Sequence, residues 1–135
     1  MSGKISITNK TKGKLPSLPF SKIKEKILGK NYELSLVIVG PKEIQRLNKI
    51  YRNINKPTDI LSFPISKKSG EIFLCLAKTR KEAVKFDRTF KNFILYLLIH
   101  GMVHLLGLDH GRKMEKLEEK YRRYFKVWLS TNFLI

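Results

Sequence analysis

The segment from Phe93 to Leu106 is apolar on almost every face of the helix that it predicts. The apolar positions are Phe93, Ile94, Leu95, Leu97, Leu98, Ile99, Met102, Val103, Leu105 and Leu106. A helix that is apolar all round lies inside a fold rather than on its surface. The surrounding apolar run, which ends at Leu108, is too short to cross a membrane. We therefore predict a helix that begins at Asp87 or Thr89, ends at Leu106 and forms the buried centre of a soluble protein.

Strand and helix patterns alternate along the rest of the chain. Short apolar or alternating runs predict strands, and amphipathic runs between proline and glycine signals predict helices. The predicted strands are Lys4–Asn9, Tyr32–Val39, the run between Pro57 and Pro64, and Glu71–Leu76. The other predicted helices are Pro19–Gly29, one that begins at Pro41, Ala77–Phe86, and one after Gly111 with Leu117, Tyr121, Tyr124, Phe125 and Trp128 on its apolar side.

This order of elements, β-α-β-α-β-β-α-α-α, predicts the fold class. The sequence contains no internal repeat, low-complexity tract or long linker, and a chain of this length can bury a core of its own. We predict a single α/β (α+β) domain over residues 1–135, with a small mixed β-sheet packed by helices around the central helix. Because proline has no N–H to donate, Pro64 is expected on an edge strand or at a strand end.

All three histidines of the chain fall at the end of the central helix, at His100, His104 and His110. In a helix, His100 and His104 are one turn apart, with Cβ atoms about 5–6 Å from each other. Gly107 can adopt the left-handed conformation that ends a helix, so that His110 returns toward the first two. Three histidine ligands leave a tetrahedral ion one open position, as in catalytic zinc sites. The alternative is that the histidines are core residues.

We predict that His100, His104 and His110 bind one divalent metal ion, with zinc expected. Three imidazoles also suit nickel, copper or iron, so the ligands alone do not identify the metal. An open position on the ion would hold and acidify a water, or polarise a phosphoryl oxygen of a substrate.

The net charge of +17, from 28 Lys and Arg against 11 Asp and Glu, favours a polyanionic partner. A charge of this size attracts nucleic acids and speeds their encounter. It makes RNA or DNA a better fit than a peptide as the substrate, although a solvated lysine-rich surface is the simpler explanation of the charge. The single cysteine, Cys75, excludes an intrachain disulfide, and no apolar signal segment is present at the start of the chain. Both features are consistent with the cytoplasm.

The histidine spacing is shared with metzincin proteases. In those enzymes a glutamate follows the first histidine and acts as the general base. Here that position is Gly101, which has no side chain to accept a proton. The peptidase hypothesis therefore lacks its base.

Two segments of the chain carry closely spaced motif residues. The first is His100-Gly-x2-His104-x2-Gly107-x-Asp109-His110. The second runs from Leu47-Asn48-x2-Tyr51-Arg52 through Pro57-Thr58-Asp59-Ile60-Leu61-Ser62-Phe63-Pro64 to Gly70-Glu71-Ile72. Both resemble the signature of the YbeY family of bacterial metal-dependent endoribonucleases, with Ile60 and Glu71 where the family has Val and Asp. The resemblance covers about residues 32–128, and the agreement of two separate motifs makes it specific.

The resemblance implies a cytoplasmic, single-strand-specific endoribonuclease. It would act in 3′-end maturation of small-subunit ribosomal RNA and in ribosome quality control, with ribosomal RNA and the ribosome or its proteins as partners. His100, His104 and His110 would bind one zinc-like ion, and His104 and Arg52 would be catalytic. Arg52 would also bind phosphate through its planar guanidinium. Thr58 and Asp59 would line the substrate cleft or hydrogen-bond a ligand imidazole.

Two other functions remain open at this point. The first is a non-catalytic ribosome assembly factor that binds ribosomal RNA and uses its metal only to brace the fold. The second is a metallopeptidase whose general base comes from another part of the chain.

Overall fold

The computed structural model describes residues 4–108 and 111–127. These residues form nine elements in the predicted order: β1 (Ile5–Asn9), α1 (Phe20–Leu28), β2 (Glu33–Ile38), α2 (Pro41–Arg52), β3 (Ile60–Ser66), β4 (Ser69–Leu74), α3 (Leu76–Lys85), α4 (Phe90–Leu105) and α5 (Arg112–Tyr124). The predicted order of strands and helices is therefore confirmed. No helix among the described residues is both long and apolar enough to span a membrane.

The four strands form one mixed sheet in the order β1-β2-β4-β3. β2 pairs in parallel with β1 on one side and with β4 on the other, with Leu36 opposite Ile7 in the first pair and opposite Ile72 in the second. β3 and β4 form an antiparallel hairpin. Parallel neighbours need long crossover connections, and α1 supplies the one between β1 and β2. The predicted small mixed sheet is thus confirmed.

Pro64 lies within β3, which is an edge strand of the sheet. The sequence suggested that the strand either lies at an edge or ends at this proline. The strand does lie at an edge, but it continues to Ser66, with a register shift between Pro64 and Ser66. Because proline cannot donate to the ladder, an irregularity of the pairing beside it is the expected accommodation. The hairpin turn is correspondingly shorter than the predicted segment from Ser66 to Gly70.

Helix α4 is the buried centre of the fold, as its apolar sequence predicts. Leu98, Ile99 and Met102 are fully buried, together with sheet residues such as Leu36 and Ile72. The helix also packs against α1, α3, α5 and β3. At its start, Thr89 caps it by accepting a hydrogen bond from the Asn92 backbone N–H at 3.1 Å, which satisfies one of the unbonded donors of the first turn.

The other end of α4 is closed by Gly107. Its φ of +82° is the left-handed conformation predicted for it, and it directly follows the last turn of the helix. Residues with a side chain adopt this conformation at a cost, so glycine suits this position. The chain therefore leaves α4 at a defined point, within three residues of His104.

Candidate active site

His100 and His104 line one cavity of about 350 Å³. We call it the histidine cavity. Its lining consists of Arg52, Ile60, Leu61, Ser62, Phe63, Pro64, His100, Gly101 and His104. One wall is the last two turns of α4 and the opposite wall is the edge strand β3. The structure thus brings three of the predicted site residues, Arg52, His100 and His104, to one place.

Arg52 is the last residue of α2, and its side chain is exposed at the mouth of the histidine cavity. Asn53 ends the helix in the left-handed conformation, which turns the following loop away from the helix axis. Within residues 4–108 and 111–127, no ion pair engages the Arg52 guanidinium. The N–H donors of Arg52 are therefore not used in an ion pair with these residues. A guanidinium of this kind can pair with a phosphate.

His100 is held by a carboxylate from α5. Its Nδ1 lies 2.7 Å from Glu118 Oε1, and Glu118 is buried with 7% of its surface exposed. A carboxylate can only accept a hydrogen bond, so Nδ1 carries the proton and donates it. The nitrogen of His100 that suits a metal is therefore Nε2. Carboxylates that orient ligand imidazoles in this way are common at metal sites.

The donor set fits a metal ion. His100 and His104 stand one turn apart on α4 and line the same cavity, and the Glu118 contact fixes the tautomer that ligation by Nε2 requires. The third predicted ligand, His110, lies outside the described residues. Within the described part of the chain, no group of three His, Cys, Asp or Glu side chains is placed to hold a metal. The three-histidine site thus stays a prediction.

Gly101 faces the sheet rather than open space. A Cβ atom added there would lie 3.0 Å from Ile60 Cδ1 and 3.3 Å from Ile72 Cδ1. Ser62 on β3 reinforces this close approach, since its hydroxyl donates to the Gly101 carbonyl at 2.8 Å. The tight packing explains why the position holds glycine, and it leaves no room for the glutamate base of a metzincin. The peptidase hypothesis therefore gains no support from the fold.

Thr58 and Asp59 line a second, larger cavity next to the first. We call it the aromatic cavity; its volume is about 810 Å³. Its lining consists of Arg52, Thr58, Asp59, Ile60, Lys85, Phe86, Asp87, Arg88, Phe93, Tyr96, Leu97 and His100. Arg52, Ile60 and His100 also line the histidine cavity, so the two spaces adjoin. Thr58 and Asp59 thus lie in the adjoining cavity and not in the histidine cavity, and their role at a substrate cleft stays a prediction. The carboxylate that contacts the His100 imidazole is Glu118 and not Asp59.

Burial raises the pKa of the Asp59 carboxyl, and the negative charge of Glu82 adds to the effect. Hydrogen bonds from backbone N–H groups and from the Thr58 hydroxyl act in the opposite direction but do not cancel it. The Thr58 Oγ1 to Asp59 Oδ1 distance of 3.5 Å makes this last contact a weak one. Asp59 is therefore a partly desolvated acid at the edge of the site.

Glu118 was not predicted from the sequence. The signal was present, because Met114, Glu118 and Tyr121 are four and three residues apart and share one face of α5. Met114 and Tyr121 are buried, which makes Glu118 a carboxylate on an apolar face. Such a residue requires a partner, and His100 supplies it.

A family model described as "Endoribonuclease YbeY" matches residues 4–127. The chain belongs to the endoribonuclease YbeY family. The predicted family is thereby confirmed, and so is the enzyme class, a hydrolytic endoribonuclease.

Individual YbeY proteins agree with this assignment. The chain is 36% identical to "Endoribonuclease YbeY" of Aliarcobacter butzleri in a match that covers 87% of this chain and 92% of the relative. It is 37% identical to the protein of the same name from Buchnera aphidicola, with 86% and 81% covered. A solution structure of TM1509 from Thermotoga maritima superposes with a TM-score of 0.63 at 29% identity, covering 93% of this chain and 89% of the other. The chain is therefore similar in sequence to these endoribonucleases and similar in fold to the TM1509 structure.

Proposed function

We propose that this endoribonuclease cleaves single-stranded RNA at the histidine cavity. The observation that carries the proposal is that Arg52, His100 and His104, which come from two separate sequence motifs, line the same cavity. The net charge of +17 supports a nucleic-acid substrate. We further propose, from the resemblance to the family, that the substrate is small-subunit ribosomal RNA at its 3′ end. Action in the cytoplasm, in ribosome quality control and together with the ribosome or its proteins belongs to the same proposal.

A divalent metal ion, with zinc as the expected ion, is part of this proposal. His100, His104 and His110 would hold it. Bound zinc supplies Lewis-acid stabilisation of the negative charge that develops on a phosphodiester during cleavage. Glu118 keeps the His100 ring in the tautomer that a metal requires.

The remaining residues bind and orient the RNA. The Arg52 guanidinium pairs with phosphate oxygens and holds the phosphodiester at the mouth of the histidine cavity. Thr58 and Asp59 contact the adjoining nucleotide from the lining of the aromatic cavity. Gly101 contributes no proton acceptor, because α4 packs against Ile60 and Ile72 at that point. The proton of the attacking group must therefore leave to an acceptor other than residue 101, and we propose water or the RNA itself for this role.

The test combines metal analysis with RNA cleavage for wild type and His104→Ala. We expect the wild type to bind one zinc per chain and to cleave single-stranded RNA, and the variant to lose both properties. A matched control is Lys116→Ala, an exposed position of α5, which should behave as wild type. Cleavage by His104→Ala at the wild-type rate would refute the metal-dependent mechanism.

Two further variants, His110→Ala and Arg52→Ala, separate the proposal from a non-catalytic assembly factor with a structural metal. In that case removal of the metal would lower the melting temperature, and His110→Ala would retain RNA binding and assembly function. An endoribonuclease instead loses cleavage with Arg52→Ala while its melting temperature stays unchanged.

A further inference from the structure

The aromatic cavity is large enough for a ligand beside the histidine cavity. Its volume of about 810 Å³ lies within the range of about 300–1,000 Å³ that is usual for ligand pockets. Arg52 and His100 line both cavities. A polymeric substrate with one phosphate at Arg52 would therefore place its next monomer unit in the aromatic cavity.

Three aromatic rings form a continuous stack along one side of this cavity. The Phe86 and Phe93 ring centroids are 5.8 Å apart with an interplanar angle of 25°, and those of Phe93 and Tyr96 are 5.8 Å apart at 7°. Phe93 is buried, whereas Phe86 is 56% exposed although it is a large apolar side chain. The stack is thus fixed in the core by its middle ring and ends in an accessible ring. Nucleobases stack on such aromatic surfaces whatever their sequence.

Two guanidinium groups lie beside the same stack. The Cζ atoms of Arg88 and Arg122 are 4.4 Å and 5.4 Å from the Tyr96 ring centroid. Arg88 also donates to Asn92 Oδ1 at 2.9 Å. Burial lowers the pKa of Arg88, and the nearby charge of Arg122 lowers it further. In the described part of the chain no ion pair neutralises Arg88. An anion that approached Arg88 would therefore be bound favourably.

The two carboxylates of the lining, Asp59 and Asp87, restrict what can enter. A carboxylate repels a phosphate but accepts hydrogen bonds from the exocyclic amino groups of bases. The interior of the cavity consequently suits a nucleobase. The two phosphates that flank this nucleotide can then pair with Arg52 and Arg88.

We propose that the aromatic cavity is a nucleotide subsite in which Phe86 stacks a base of single-stranded RNA next to the phosphodiester held at Arg52. Arg88 binds the phosphate on the far side of that nucleotide. The inference rests on the proposed endoribonuclease function and deepens it. Bases in a duplex are stacked on one another and are not available to a side chain, whereas those of single strands are. The subsite thus gives a physical cause for single-strand specificity.

The first test measures binding of a fluorescein-labelled single-stranded oligoadenylate to wild type, Phe86→Ala, Phe86→Trp and Val84→Ala. We expect Phe86→Ala to lower affinity about tenfold. Phe86→Trp should keep the affinity, and its tryptophan fluorescence should be quenched by RNA beyond any change in wild type. Val84 is the matched control, since it is 81% exposed two residues away on α3 and does not line the cavity. Its substitution by alanine should leave affinity unchanged.

The second test replaces single nucleotides of the oligoadenylate by abasic residues. One abasic position should weaken binding to wild type about tenfold and should have no further effect on Phe86→Ala, because the base and the ring act as a pair. Equal affinity of wild type and Phe86→Ala for the intact RNA would overturn the inference, as would the absence of quenching in Phe86→Trp. If Phe86→Ala does not fold, the fluorescence quenching of Phe86→Trp and the binding of the abasic oligonucleotides to wild type still test whether Phe86 stacks on a base.

These outcomes are distinct from failure of the proposed function. A wild type that cleaves no single-stranded RNA refutes the proposed function at the histidine cavity. A wild type that cleaves single-stranded RNA, beside a Phe86→Ala variant with unchanged affinity and kcat/KM, refutes the subsite alone.

Discussion

Glu118 Oε1 lies 2.7 Å from Nδ1 of His100 and so links α5 to a predicted metal ligand on α4. The Arg122 guanidinium is 3.8 Å from the same carboxylate oxygen and helps to hold the carboxylate in the buried interior. Because the contact sets the tautomer and orientation of the imidazole, its effect should appear in metal affinity rather than in the fold alone.

We expect Glu118→Gln to weaken zinc binding by about 10- to 100-fold, the usual effect of losing such a partner. The measurement is competition for zinc against a chelator of known affinity. Glu119→Gln is the matched control on the neighbouring residue, since Glu119 pairs with Arg123 on the exposed surface. Equal zinc affinity of Glu118→Gln and wild type would show that the carboxylate does not act on the metal site.

Substitution of Arg52 should affect cleavage without affecting stability. Loss of a hydrogen bond to a charged group costs about 1.5–3 kcal/mol, so Arg52→Ala should lower kcat/KM for RNA by about tenfold or more. Arg52→Lys should restore little of the activity, because an ammonium does not reproduce bidentate pairing with a phosphate. Arg46→Ala, an exposed position of the same helix that pairs with Glu43, serves as the control. Full activity of Arg52→Ala would remove Arg52 from the mechanism.

The packing at Gly101 should make even a methyl group destabilising. Gly101→Ala places a Cβ 3.0 Å from Ile60 Cδ1; overpacking of this kind costs about 1–3 kcal/mol, which exceeds the roughly 0.5–1 kcal/mol that alanine gains over glycine inside a helix. The measurement is the free energy of unfolding in urea. Ile60→Val removes the contacting Cδ1 atom, so it should recover part of the loss when combined with Gly101→Ala. Additive effects of the two substitutions would contradict the proposed contact.

Asp59 should make stability depend on pH in a defined direction. Its pKa is raised in the folded state by burial, so the folded protein favours the protonated form more than the unfolded chain does. The contribution of Asp59 is therefore most favourable below the unfolded pKa and is lost as the pH rises through the folded pKa. Asp59→Asn should be more stable than wild type at neutral pH, and the difference should vanish in acid. The measurement is the free energy of unfolding in urea of both proteins, from acid to neutral pH. A difference that does not change with pH would contradict a raised pKa of Asp59.

Local sequence patterns predicted most of the fold. The apolar run around Leu98 and Ile99 predicted the buried helix, and the proline and glycine positions bounded its neighbours. Tyr124 is the exception in α5, because its helical position predicted burial but 59% of its surface is exposed. There the Lys26 ammonium lies 4.4 Å from the ring centroid. A partner of this kind comes from a distant helix and leaves no signal in the spacing of α5.

The candidate site was predictable where its residues fall in continuous motifs. Helical spacing alone was enough to predict that His100 and His104 lie together. Arg52 could be predicted only from the resemblance to known sequences. The stack of Phe86, Phe93 and Tyr96 was not predictable, because it depends on how α3 and its exit turn pack against α4. The contact of Glu118 with His100 likewise joins two helices whose relative position is set by the whole core.

Pro64 has a consequence for the behaviour of the molecule in solution. An edge strand exposes backbone groups that a strand of another chain can pair with, and β3 is such an edge directly beside the histidine cavity. A proline and a register irregularity in an edge strand both oppose this kind of pairing. This wall of the histidine cavity is thereby protected against β-aggregation between copies of the chain.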